Sequence, residues 1–181
     1  AHAFTGSNTR LTLEFGTATI ETISQGDLEI NYAELYLTNG DQIKIQSKSS
    51  KFYMNEIAGA ELTSKRDKFW IDKINSVKGD ISFSYLEIKE LERSSDVKTH
   101  YGDYKVMDIG PEATQVILNS NYTDITIYFK PELYYEVDIS GNDKTEITFP
   151  TELLTRKETK ETKDGEEVLV VECKIGTLAS N

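Results

Sequence analysis

Tyr36, Tyr53 and Trp70 follow one another at intervals of 17 residues, and Glu87 takes the next position in that series. Three rings repeated at one interval offer stacking chemistry. Brought together on one face, they would form a flat strip able to stack on sugar rings or anchor a protein partner. The same rings could instead be a cross-strand ladder worth roughly 0.2 to 1 kcal/mol per pair, or could lie beneath the N-terminal segment. A second series, Asn55, Asp72 and Lys89, sets one carboxylate among unlike neighbours, with Glu87 and Asp103 nearby. Glycan-cleaving enzymes need two carboxylates facing one another across a cleft. One acid per repeat is what a solvated strand face displays in any case.

Other chemistry finds little support in the chain. His2 and His100 stand in no H-x-x-x-H or H-E-x-x-H spacing, and no nucleophile elbow, Walker loop or dinucleotide fingerprint occurs. A lone cysteine, Cys173, excludes an intramolecular disulfide and a cysteine-built metal site, and its apolar surroundings at 168–173 read as a small buried side chain. No catalytic residue, metal or cofactor is expected.

The elements that must position the rings follow from the same period. Ala18, Leu35, Phe52, Phe69 and Leu86 form one column, and Ile20, Leu37, Met54, Ile71 and Ile88 form another. Ile23, Gly40, Ile57, Ile74 and Leu91 form a third. The first two columns are separated by one residue, which is the alternation of a strand. A repeat of 17 residues has no room for both an ordinary helix and its return turns. The expected fold is therefore an all-β solenoid, a single-stranded parallel β-helix with about 17–21 residues per coil, its side chains laddered along one axis. The rings at Tyr36, Tyr53 and Trp70 lie between two inward columns and should point outward.

Later coils lengthen. Tyr104 and Val106 follow Leu86 and Ile88 by 18 residues, Ile125 and Ile127 come 21 further on, and Thr145 and Ile147 another 20. That reading gives eight coils in one domain over 1–181, with 1–16 as an N-terminal cap strand carrying Leu11, Leu13 and Phe15. The run TRKETKETKDGEE at 155–167 reads as a flexible loop turning at Asp164-Gly165. It would join antiparallel strands at 145–149 and 168–173, with 168–181 closing the C-terminal end.

Composition bounds the partners. The 181 residues carry a net charge of −11, which disfavours unspecific attraction to phosphate backbones or anionic lipid, so no nucleic acid is expected. No apolar run is long enough to span a membrane.

Gly-Asp precedes strands at Gly26-Asp27, Gly40-Asp41, Gly79-Asp80 and Gly102-Asp103. The glycine permits a positive φ at a corner, and the aspartate can accept a backbone N–H left unpaired there. Tyr101-Gly102-Asp103-Tyr104-Lys105-Val106 is echoed at Tyr122-Thr123-Asp124-Ile125-Thr126-Ile127, and Lys174-Ile175-Gly176 closes the chain's last strand candidate. These units resemble the bacterial adhesin-type β-solenoid family of Bacteroidetes cell envelopes. The resemblance implies a right-handed β-helix, export to the periplasm or cell surface, and a non-enzymatic role. With it, the expected function is a cell-envelope adhesin or binding module that presents Tyr36, Tyr53 and Trp70 to a glycan or protein partner. The alternatives are an envelope assembly component that self-associates through its solenoid ends and, more remotely, a polysaccharide-active β-helix enzyme.

Overall fold

A computed structural model describes residues 5–6, 8–130, 132–142, 146–148, 153–163 and 166–176. Among the described residues every regular element is a strand. Strands β1 (Thr5–Gly6), β2 (Thr9–Lys48), β3 (Lys51–Lys65), β4 (Lys68–Val106) and β5 (Gln115–Ile127) pair in parallel in that order. The long strands are extended chain bent around corners, and together they wind a β-solenoid of about 6 turns. Leu35 pairs with Phe52 and Phe52 with Phe69, while Leu37, Met54 and Ile71 align beside them. These six side chains are at most 2 % exposed. The Phe52 and Phe69 rings stack at 4.4 Å. The period read from the sequence is thus the spatial register, and the core is a narrow apolar column inside the coils.

Corners recur once per coil. Phe15, Tyr32, Ser49, Arg66, Phe83, Tyr101 and Tyr122 all adopt a positive φ, between 52° and 63°. An L-residue in this left-handed region costs about 1–2 kcal/mol, so the neighbouring packing must hold it. The residue after each of the middle corners turns inward: Ala33, Ser50, Asp67 and Ser84 are at most 5 % exposed. The Ser50 hydroxyl accepts the Ala33 N–H at 3.2 Å, the Asp67 carboxylate accepts the Ser50 N–H at 2.6 Å, and the Ser84 hydroxyl accepts the Asp67 N–H at 3.1 Å. Each coil thereby satisfies an amide of the coil before it. Asp67 Oδ2 also accepts the hydroxyls of Ser47 at 2.7 Å and Ser64 at 2.6 Å and the Lys65 N–H at 3.1 Å. Burial pushes the Asp67 carboxyl above its usual range, against the pull of those hydrogen bonds.

Three of the four Gly-Asp pairs play a different part from the expected one. Gly26, Gly40 and Gly79 lie outside the positive-φ set, whereas Gly102 takes the positive φ expected of it, directly after the Tyr101 corner. Space explains Gly40, where an added Cβ would lie 2.2 Å from the Ile43 side chain. At Gly102, with φ at +146°, a Cβ would fall 2.0 Å from the Ser84 carbonyl oxygen. Asp27, Asp41, Asp80 and Asp103 are exposed. The aspartate that does accept corner amides is Asp67.

The chain divides into two compact units, one ending at Tyr128 and one beginning at Phe129, where a single solenoid over 1–181 was expected. Parallel pairing stops at β5, so Ile125 is 45 % exposed although it occupies an inward column. Ile147 lies outside any strand, Thr145 falls outside the described residues, and the eight expected coils reduce to about 6. The second unit holds an antiparallel sheet of β6 (Tyr135–Asn142), β7 (Leu153–Lys163) and β8 (Glu166–Ile175), ordered β6-β8-β7. β8 is central because Val171, Cys173 and Ile175 alternate inward and are at most 3 % exposed. The expected loop at 155–167 is therefore largely strand. Its run of charges suits an edge strand, which needs backbone pairing rather than burial, and Lys157 meets Glu172 opposite it at 3.2 Å. The turn residues Asp164 and Gly165 lie outside the described residues, as does the C-terminal end of the expected closing segment at 168–181. The expected cap strand at 1–16 is, from Thr9 onward, the first coil of β2. Its Leu11 and Leu13 are partly buried, while Phe15 is a corner residue 66 % exposed.

Replacing Asp67 with alanine removes the acceptor of the buried Ser50 amide and of the partly buried Lys65 amide. It is expected to cost about 2–4 kcal/mol in urea denaturation. Asp67→Ser restores the group used by the adjacent coils and should recover at least half of that loss.

Candidate functional site

Outward side chains of the solenoid fall into columns as regular as the inward ones. Tyr36 pairs in register with Tyr53, and Tyr53 with Trp70. The Tyr36 and Tyr53 rings are 4.7 Å apart and 11° from parallel, and those of Tyr53 and Trp70 are 4.9 Å apart and 8° from parallel. Below them Tyr85 tilts against Trp70 at 5.9 Å and 48°. All three residues expected from the sequence are thus brought together. Tyr36 is 39 % exposed, and Tyr53 and Trp70 are partly exposed. The N-terminal strand β1 pairs instead at Thr22 and Ile23.

The stack differs from a flat strip in one respect. Separations of 4.7 and 4.9 Å with almost parallel planes are too short for rings lying side by side in one plane and mean overlapping rings, set like shingles. Each ring presents an edge and part of a face. A ligand would meet a ridged apolar track bordered by polar groups.

Those borders carry ion pairs rather than uniform acidic charge. On the strand positions before the rings, Lys51 meets Glu34 at 2.8 Å; on the positions after them, Lys89 meets Asp72 at 2.5 Å. The Lys51 ammonium holds the Glu34 carboxyl below its usual range, and Glu34 in turn raises the Lys51 pKa. Glu87 ends the ring column. It accepts the Tyr85 hydroxyl and lies 3.8 Å from the Lys105 ammonium. Asp72 and Glu87 therefore each face a cation, and the paired-carboxylate arrangement of a glycan hydrolase is not assembled by these residues. Asn55 is exposed beside them. Burial first, then the hydrogen bond to Glu87, pushes the Tyr85 phenol up to about 12.

A second aromatic stack was missed in the sequence. At the positive-φ corners, Phe83 and Tyr101 stack at 5.0 Å and Tyr101 and Tyr122 at 4.8 Å, with His100 edge-on to Tyr101 at 4.5 Å. Phe15 and Tyr32 form a shorter stack at 5.4 Å. The signal was available, since Phe15, Tyr32 and Phe83 share the 17-residue phase with Ser49 and Arg66. The polar pair between them hid it. On another part of the first unit a shallow groove of about 490 Å³ is lined by Arg10, Asp27, Lys44 and Glu61 among others. Its charges are paired internally, Arg10 with Asp27 at 3.8 Å and Lys44 with Glu61 at 3.0 Å.

Cys173 is buried, and burial raises its thiol pKa, as fits a packing residue. Among the described residues no group of three histidine, cysteine, aspartate or glutamate side chains could hold a metal ion. Among the described residues no helix is long and apolar enough to cross a membrane.

In comparisons with known proteins, no family model, no curated protein and no solved structure matches the chain.

Alkaline titration checks this environment. Tyr85 and the fully buried Tyr104, whose hydroxyl donates to Ser95 at 2.7 Å, are both raised to about 12. Their neutral forms are favoured by folding, so the stability they lend is complete below the ordinary tyrosine value near 10 and is lost as pH rises toward 12. Phenolate absorbance should show Tyr85 and Tyr104 ionising late, with Tyr36, raised by burial and the Glu34 carboxylate, also above the ordinary value. Tyr104→Phe should remove one of them and flatten the fall in stability.

Proposed function

We propose that this protein is an exported, non-catalytic binding module of the bacterial cell envelope, an adhesin-type β-solenoid whose contact surface is the ridged track of Tyr36, Tyr53 and Trp70. The observation that carries the reading is the three-ring stack. Partly exposed rings with charged groups on both sides suit a polyhydroxylated ligand, which offers apolar C–H edges and hydroxyls together. The ladder positions repeat along a rigid axis, so affinity would accumulate from small equal contacts rather than from a deep pocket. Export and the envelope location rest on the likeness of the Tyr101 and Tyr122 corners to the adhesin-type family. A protein partner in the envelope would use the same rings as anchors.

Assembly through the solenoid ends is the second reading. It is favoured by one observation: β5 is the last strand of its sheet, so its outer edge has no strand partner among the described residues. Light scattering over a concentration series would then show growing oligomers. A constant monomer mass would reject it.

For the binding reading, Trp70→Ala is expected to weaken retention by an immobilised glycan panel about tenfold or more, whereas Trp70→Phe keeps most of it. Binding that is unchanged in the alanine variant removes the ring stack from the contact surface.

A further inference from the structure

Across most of the solenoid, neighbouring coils set opposite charges beside each other: Arg10 with Asp27, Lys44 with Glu61, Glu34 with Lys51, Asp72 with Lys89 and Glu87 with Lys105. One corner breaks this pattern. The register places Lys48 against Lys65 and Lys51 against Lys68, and Arg66 projects from the positive-φ corner between them. All five side chains are exposed. Lys51 has the Glu34 partner, and Lys48 lies over the Tyr32 ring at 5.6 Å. The carboxylate nearest in sequence, Asp67, is turned inward, its oxygens occupied by Ser47, Ser50, Ser64 and Lys65. Like charges directly opposite in a sheet are destabilising. Five cations gathered on two coils of a chain whose net charge is −11 are therefore an expense to the fold.

The patch adjoins the ring track. Lys51 and Lys68 stand two residues before Tyr53 and Trp70 on the same strands, so they share the outward face. Further down the Lys51 and Lys68 side of that face the sign reverses, with Asp103 paired against Asp124. A polyanion running the length of the face would meet repulsion there. The basic ground is short, and the rings beside it already cover one another, which leaves little open face for nucleic-acid bases to stack on.

We propose that this basic corner, with Tyr53 and Trp70 beside it, binds acidic polysaccharide: a glycan segment bearing uronate carboxylates or sulfate esters. The cations meet the anionic groups, and the ring edges meet the sugar C–H surface. The inference builds on the glycan-binding reading and adds the charge of the ligand.

The test compares polygalacturonate, heparin, neutral dextran and single-stranded DNA by affinity electrophoresis, with the parent, Lys68→Glu and the double variant Lys65→Gln, Arg66→Gln. Expected is retardation by polygalacturonate or heparin over dextran and DNA, relieved by salt, and weakened about tenfold in either variant. Lys68→Glu should in addition raise the urea midpoint at low salt, because it removes a like-charged pair; a structural role for Lys68 would lower both readouts together. If Lys68→Glu fails to fold, the double variant carries the test. Equal binding of dextran and acidic polymers, or charge variants that bind as the parent does, overturns the proposal and leaves the glycan reading standing. Stronger binding to DNA overturns it in favour of nucleic acid. A parent that binds no polysaccharide overturns both.

Discussion

Between coils, the backbone amides and carbonyls of each turn are shared with the next at a fixed offset: Ser49 N–H donates to the Lys65 carbonyl, Lys68 N–H to that of Ser50, and Arg66 N–H to that of Ser82. This ladder is what places residue i above residue i+17 over the regular coils. Parallel stacking of this kind multiplies any choice of residue type. An aromatic is beside an aromatic at Phe52 and Phe69 inside and at Tyr53 and Trp70 outside. A charge must either alternate in sign, as at Lys44 and Glu61, or be repelled, as at Lys51 and Lys68.

The corners show how one interaction can license another. Left-handed backbone at Ser49, Arg66 and Phe83 is intrinsically unfavourable, yet it aims the following side chain inward, where Ser50, Asp67 and Ser84 accept amides. A buried amide without an acceptor costs of the order of 1–3 kcal/mol, which is comparable to the strain of the corner. The seam and the corner are therefore maintained together. Asp67 is the most heavily engaged member, and its inward aim also leaves Lys65, Arg66 and Lys68 without a carboxylate partner among the described residues.

The solenoid was legible because its apolar residues recur in phase, and the Tyr36, Tyr53 and Trp70 stack was legible because outward positions inherit that phase. What could not be seen follows the limits of that signal. Asp67 reads as a surface charge until its phase with Ser50 and Ser84 is noticed, since a polar residue facing inward carries no hydrophobic mark. The Gly-Asp pairs looked like corners because glycine tolerates positive φ, but only Gly102 among them adopts it, and the repeated corner position is held by phenylalanine, tyrosine, serine and arginine. The run at 155–167 contains nothing to bury and so resembled a loop, although an edge strand in β7 is held by main-chain pairing with β8 and by Lys157 against Glu172. The coil expected at Ile147 came from extrapolating a period beyond the point where the parallel ladder ends at Ile127.

The direction of the inter-coil hydrogen bonds has a mechanical consequence. They run along the solenoid axis, so tension applied along that axis pulls them open a turn at a time instead of shearing a whole sheet. Each released turn of 17 residues lengthens from a height of about 4.8 Å to an extended chain of roughly 55–60 Å. Under load, the body would act as an extensible tether that yields in even steps, and a force–extension trace with a single large rupture would contradict that behaviour.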